Sequence, residues 1–383
     1  MTETVLLGDV AEITSSKRIF YKEYEKGGVP FLRSKEIIEK AAGKNPSTEL
    51  FISAKRFAEI TKQFGSPREG DILLTSVGTL GIPYKVEAQD RFYFKDGNLT
   101  WLRKFRPDLN SKFLYYWLTS KAGKNELENH TIGSTQKALT IQGLKKVKLP
   151  LPDLKQQELA VGMLDSIDQK IAINRRMNET LEKIGQVLFK HYFIDNPDRK
   201  NWGVREIGQL FDLRMGLSPK GYSYNKDGIG SPLLNGAADF IGSKISPKQY
   251  TSAPTRISKV GDIIFCIRGT IGNVVIGYEE YCIGRGVAAM TPKKNATSYV
   301  YFSTIQAIDK MKSAASGSVI KGLSKYDISD RKTEVPSERA LENYEKQAFP
   351  IIEHLRINSE EMQTLITLRD SLLPRLISGM LAI

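Results

Sequence analysis

The chain has 383 residues, 40% hydrophobic and 26% charged, which is room for two or three domains with cores of their own, and its formal net charge of +13 suits a polyanionic partner. No run approaches the roughly 18 apolar residues that a membrane helix needs, and MTETVLLGDV lacks the basic-then-apolar order of a signal peptide, so the chain reads as cytoplasmic with no membrane partner. Cys266 and Cys282 are the only cysteines and His130, His191 and His354 the only histidines; without CxxC or HExxH spacing they read as ordinary side chains, and no metal site is expected.

Residues 1–150 form a first basic block, with 25 Lys and Arg against 17 Asp and Glu. LGDVAEI at 7–13 and VPFLR at 29–33 open it. GDILLTSVGTLG at 70–81 then predicts a strand followed by a turn or bulge, because glycine tolerates positive φ and close backbone approach. LNSKFLYYWLTSKAG, 109–123, predicts the clearest helix of the block, with aromatic residues that suit a core better than a base-stacking platform. GSTQKALT at 133–140 is a glycine-led loop, and KLPLPDLKQQ closes the block at a proline junction. Residues 151–200 balance 8 basic against 8 acidic, and Leu164, Ile167, Ile171, Met177, Leu181, Ile184 and Leu188 recur mostly at spacings of three and four, which predicts a long amphipathic helix.

The same order then returns. IGQLFDL at 207–213, SPLLN at 231–235, GDIIFCIRGTIG at 261–272, SYVYFSTI at 298–305 and GSVIKGLS at 317–324 echo the first block, and the glycine-rich units share six of twelve residues without a gap. Residues 201–333 hold 18 basic against 10 acidic residues. TEVPSERALENY leads into a second helical stretch, where Ile352, Leu355, Met362, Leu365, Leu368, Leu372 and Leu376 repeat the apolar spacing. INRRMNETL at 173–181 lies over INSEEMQTL at 357–365 at an offset of 184, so an internal duplication is expected. Each apolar stripe needs cover, and the stripe of the other copy is the nearest cover, with the two helices antiparallel as a spacer. Asn174 and Asn358 are polar members of these seams, either setting register or lying at their boundary. Pro374 is expected to kink or end the last helix.

Two similar basic blocks on a helical spacer suit the reading of two short duplex segments with an unread gap between them. Candidates for DNA contact are Arg268, whose counterpart is Val77; Lys137 and Lys321, at matching positions beside Ser134 and Ser318; and, more weakly, Arg33 and Arg214. Each also has a plain reading as a solvated surface side chain. No NPPY or DPPY tetrapeptide, acidic pair followed by ExK, or nucleophile with its base stands out, and Asp71 and Asp262 suit turns at strand entries better than magnesium. An interaction scaffold with solvated charges and an enzyme with an unrecognised active site remain the rival readings.

This ordered set, LGDVAEI, GDILLTSVGTLG, GSTQKALT and LPLPDLKQQELA in one half with IGQLFDL, GDIIFCIRGTIG and GSVIKGLS in the other, resembles the DNA specificity subunit of type I restriction-modification systems. The resemblance implies an α+β, internally duplicated chain, with two strand-rich globular target recognition domains separated by two long antiparallel helices. It implies recognition of a split double-stranded DNA target by residues 1–150 and 200–333, and spacing and assembly through 151–199 and 334–383. It further implies a non-catalytic chain without a cofactor of its own, joined by two modification (methyltransferase) subunits carrying S-adenosylmethionine. Restriction subunits using ATP and Mg are the optional further partners. The second junction keeps its proline but lacks a Gln-Gln segment, which leaves the start of the second helix open.

Overall fold

Alternation sets the centre of each copy. In ILLT, Ile72 and Leu74 pack into one apolar cluster and Leu73 into another, so a single strand is buried on both faces. Ile263 and Phe265 against Ile264 do the same in the second glycine-rich unit. The structure, a computed structural model, describes residues 3–133, 137–241, 244–293, 296–314 and 322–378.

In the first copy the strands are β1 (Glu3–Leu6), β2 (Glu12–Thr14), β3 (Tyr24–Glu25), β4 (Val29–Leu32), β5 (Phe51–Ile52), β6 (Ile72–Thr75), β7 (Pro83–Lys85), β8 (Tyr93–Phe94), β9 (Leu99–Arg103) and β10 (Lys148–Leu151). The second copy repeats them in order as β11 (Val204–Glu206), β12 (Phe211–Met215), β13 (Tyr224–Asn225), β14 (Ser231–Leu234), β15 (Gln249–Thr251), β16 (Ile263–Cys266), β17 (Gly272–Ile276), β18 (Cys282–Ile283), β19 (Val287–Pro292) and β20 (Lys332–Glu334). A four-stranded sheet of order β2-β9-β6-β7 corresponds to β12-β19-β16-β17. A second sheet, β3-β5-β4-β8, corresponds to β13-β15-β14-β18, and the two-stranded β1-β10 to β11-β20. Even the parallel pairing of β4 with β8 recurs in β14 with β18. The duplication is therefore one of topology as well as of motif. Short hairpins Thr131–Ile132/Ala138–Leu139 and Phe240–Ile241/Lys244–Ile245 supplement the set.

Two glycines show how closely the copies agree. Gly28 (φ +129°) enters β4 and Gly230 (φ +85°) enters β14; a Cβ there would lie 2.5 Å from the Ile52 carbonyl oxygen and 2.2 Å from that of Thr251. Only glycine fits either position.

The expected helix over 109–123 is two helices, Ser111–Thr119 and Lys121–Asn129. Ser120 breaks it: its backbone is extended, and its hydroxyl caps the next helix at the Gly123 N–H. Gly123 permits the tight reversal, since a Cβ there would lie 2.1 Å from the Trp117 carbonyl oxygen. Phe113, Leu114, Trp117 and Leu118 are buried against Ile72, Leu74 and Leu102, at roughly 2–3 kcal/mol for each large side chain. The aromatic residues are core. In the second copy the corresponding helix, Thr297–Ala314, is unbroken over its 18 residues.

The first long helix is Leu154–Phe189 and the second Glu338–Ile377. The chain divides into two units, residues 1–169 with 365–383, and residues 170–364. Each unit thus holds one strand-rich copy and a part of both long helices. In the second unit partner numbers fall on one helix as they rise on the other, so the helices run antiparallel there: Lys170 and Asn174 meet Glu361 and Asn178 meets Leu355.

The start of the second helix explains the missing Gln-Gln segment. In the first copy buried Gln157 accepts from the Asn110 N–H and donates to the carbonyls of Asp108 and Pro152, each at 2.8 Å. In the second, buried Glu345 accepts from the Ser298 N–H and hydroxyl at 2.8 Å and the Tyr299 N–H at 3.1 Å. The polar anchor has moved along the helix and become a carboxylate, which burial pushes to a raised pKa despite these donors. Of the two effects expected of Pro374, a kink or an end to the last helix, the end does not occur at the proline. The helix continues to Ile377 because Leu373, Leu376 and Ile377 are buried in the first unit's core, and Ser378 still donates to the Pro374 carbonyl.

Candidate nucleic-acid interface

Both glycine-rich units form hairpins with three glycines in the left-handed region at equivalent places: Gly70, Gly78 and Gly81 in one, Gly261, Gly269 and Gly272 in the other. Asp71 accepts from the Arg68 N–H at 3.0 Å and Asp262 from the Lys259 N–H at 2.8 Å, so each closes the turn that enters its strand. Burial raises the Asp71 pKa, opposed by the Arg68 N–H and the Trp101 indole. These aspartates are structural anchors.

The two short motifs quoted from each half meet in space. The Leu139 N–H donates to the Ser76 carbonyl and the Leu323 N–H to the Ile267 carbonyl, both at 2.9 Å, so the loop after each GS segment docks on its own hairpin. Val77 also bridges Ala138. The hairpin tip, the docked loop and the turn before β9 or β19 therefore share one end of each four-stranded sheet. The rung Ser76 N–H to Asn98 carbonyl marks that end in the first copy, and Ile267 N–H to Gly286 carbonyl marks it in the second, both at 2.9 Å.

The structure separates the candidate cations. Arg33 is bound to buried Glu36 through three hydrogen bonds, two from its guanidinium at 2.6 and 3.3 Å and one from its backbone N–H at 2.8 Å, at the start of the helix Ser34–Ala41. Burial is the largest influence on the Glu36 carboxylate and opposes its charge, yet the Arg33 guanidinium together with the Arg33 and Glu36 backbone N–H groups holds the pKa below the usual range. Arg214 is bound to Asp262 at 2.9 Å, where Thr291 also donates at 2.6 Å. Lys137 pairs with exposed Glu128 at 2.9 Å, a solvated pair worth little. Arg268 is exposed on the hairpin tip and has no ion-pair partner among the described residues. Ser134, Ser318 and Lys321 lie outside the described residues. Sequence reading missed Arg285, an exposed residue in the turn between β18 and β19, and Lys312, whose ammonium overlies Gly272. Only strand register brings Arg285 to the Arg268 hairpin; its one local signal is the glycine on either side.

The helical candidates divide as well. Leu164 and Ile171 are buried, Ile352 and Leu355 likewise, and Ile167, Leu181, Leu188, Leu365 and Leu372 are half-buried. Met177, Ile184 and Leu368, which the apolar spacing assigned to the covered stripe, are 44%, 51% and 44% exposed. At 3.6 residues per turn the buried line passes through Asn178 and Gly185 instead. Gly185 is needed there, since a Cβ would lie 1.9 Å from the Phe302 ring. Asn174 and Asn358 are both buried, but they do not pair with each other: Asn174 donates to Glu361 at 2.7 Å and Asn358 to Asn178 at 2.8 Å. In the first unit the helices are joined by an ion pair, Arg369 to Asp168 at 3.0 Å, and Asp168 also accepts from Tyr116 at 2.9 Å.

Among the described residues no helix is long and apolar enough to cross a membrane. Comparison with known proteins agrees with the repeated architecture. The putative type I restriction enzyme MjaX specificity subunit of Methanocaldococcus jannaschii is 24% identical over 398 residues, covering 97% of this chain and 92% of that one. The putative type I restriction enzyme specificity subunit S.HindORF215P of Haemophilus influenzae is 31% identical over 170 residues, covering 44% and 40% of the two chains. The crystal structure of a type I restriction-modification S subunit from M. genitalium shares the fold, with a TM-score of 0.58 at 17% identity over 98% of this chain and 96% of that one. The model of the type I restriction modification DNA specificity domain matches twice, at residues 2–183 and 199–358, and the protein belongs to that family.

Proposed function

We propose that the chain selects a bipartite double-stranded DNA target and directs adenine methylation and restriction by associated subunits, without catalysing either step itself. The observation that carries this reading is the same hairpin-ended sheet body built twice in one chain of a DNA specificity family. Two copies with different side chains at equivalent positions suit two different half-sites. Residues 1–150 and 200–333 are the two readers in this proposal. Lys137 and Arg268, with Ser134, Ser318 and Lys321 from the companion loops, supply phosphate or base contact, while the internal pairing of Arg33 and Arg214 makes them supports of the reader frame.

Residues 151–199 and 334–383 act as spacer and assembly surface for two modification subunits, with restriction subunits as the further partners. Exposed apolar residues on the long helices, among them Met163, Met177, Ile184 and Ile357, favour a protein partner there. S-adenosylmethionine, ATP and Mg belong to those partners.

The test is to reconstitute the chain with its cognate modification subunits and to map methylated adenines. A split motif is expected, and replacing residues 1–150 by those of a relative should change one half of it alone. A single contiguous motif would overturn the two-reader proposal. The purified chain alone should neither cleave nor methylate DNA. Against the scaffold reading, its affinity for duplex should fall steeply as salt rises.

A further inference from the structure

We propose that Arg268 and Arg285 form an anion clamp that grips backbone phosphate of duplex DNA on the second copy, and that the first copy has no equivalent. This rests on the DNA-recognition reading above. Arg268 follows and Arg285 precedes the hydrogen-bonded rung Ile267 to Gly286, so two exposed guanidiniums leave the same end of one sheet from adjoining positions. Their backbones are held in place. Gly269 turns with φ +72°, and a Cβ on Gly284 or Gly286 would lie 2.4 Å from the Asn235 Oδ1 or 2.2 Å from the Asn235 carbonyl oxygen. Lys312 adds a third cation, its Nζ 2.7 Å from where a Cβ on Gly272 would lie.

Like charges on neighbouring strands repel unless an anion lies between them. Neither arginine has an ion-pair partner among the described residues, and the segments outside that description contain no Asp or Glu. Arg33 and Arg214, by contrast, are matched by carboxylates of their own copies. The arginine fork suits phosphate oxygens, and its exposure here leaves it free to meet a duplex backbone. At the same places the first copy has Val77 and Gly97 beside the rung Ser76 to Asn98, with Leu127 next to Gly81. The clamp is thus a local addition to one of two matching frames.

The experiment titrates the full-length chain and its R268Q/R285Q variant against two unrelated duplexes over a range of salt. The variant should lose affinity equally on both, and the slope of log affinity against log salt should become shallower by about 0.9 for each phosphate that is no longer neutralised. R268K/R285K should retain most of that slope, and thermal melting should show all variants folded. An unchanged slope with wild-type binding intact would overturn the clamp and leave DNA recognition standing. A loss confined to one duplex would overturn it in favour of base reading. Inorganic phosphate that raises the wild-type melting temperature, without a slope change in the variant, would assign the arginines to a free anion instead. If the wild type shows no salt-dependent duplex binding, the reading beneath the clamp fails with it.

Discussion

The two copies share a frame and differ in what they place on it. Strand order, the parallel β4-β8 and β14-β18 pairs, the positive-φ glycines and the docking of each GS loop on its hairpin all recur. The differences lie in helices, as where Ser111–Thr119 and Lys121–Asn129 answer the unbroken Thr297–Ala314, and in side chains on the shared frame. Val77 gives way to Arg268 at the hairpin tip, Gln157 to Glu345 at the helix anchor, and the Arg369–Asp168 ion pair between the helices of the first unit to a buried Asn178–Asn358 amide pair, beside an exposed Lys170–Glu361 ion pair, in the second. Duplication therefore preserves what backbone geometry demands, while polar groups change wherever another donor or acceptor can satisfy the same backbone.

The largest effects should fall where the copies agree. Gly28→Val and Gly230→Val each drive a side chain into a facing carbonyl at a positive φ, and each should cost more than about 3 kcal/mol in urea unfolding. A marked inequality between them would break the shared-frame comparison. Next are the exchanged anchors: Gln157→Ala and Glu345→Ala should each cost about 2–3 kcal/mol by stranding buried backbone groups.

These anchors separate with pH. Burial raises the folded-state Glu345 pKa above the roughly 4.3 of an unfolded glutamate, so its contribution is full below that value and is lost as pH rises through the folded one. Glu345→Gln should flatten this decline in unfolding measured across pH, whereas Gln157 contributes no such slope. Glu182, also raised by burial, acts in the same sense.

A smaller contrast lies between the helices. Asn178→Leu should cost about 1–2 kcal/mol by leaving the buried Asn358 amide without its acceptor, with little response to salt. Asp168→Asn should cost about 1 kcal/mol, partly masked at high ionic strength because Asp168 and Arg369 are both about 30% exposed. Equal salt responses in denaturant melts would count against the ionic-versus-amide distinction. The smallest effect belongs to Lys137→Gln, which should leave stability within about 0.5 kcal/mol, since its pair with Glu128 is open to water.

Motif order, strand alternation and the offset of 184 were enough to read the duplication and both long helices from the sequence, because these features depend on local periodicity and on glycine's access to positive φ, while the α+β class was what the family resemblance implied. Local patterns also suggested a turn role for Asp71 and Asp262. Tertiary structure alone decided that Arg214 meets a carboxylate, that Asn178 rather than Met177 lies in the helix seam, and that Arg285 stands beside the Arg268 hairpin. The physical reason is range: periodicity and turn chemistry act over a few residues, whereas an ion pair such as Arg214 with Asp262 or a rung such as Ile267 with Gly286 joins residues whose proximity is created only by strand pairing.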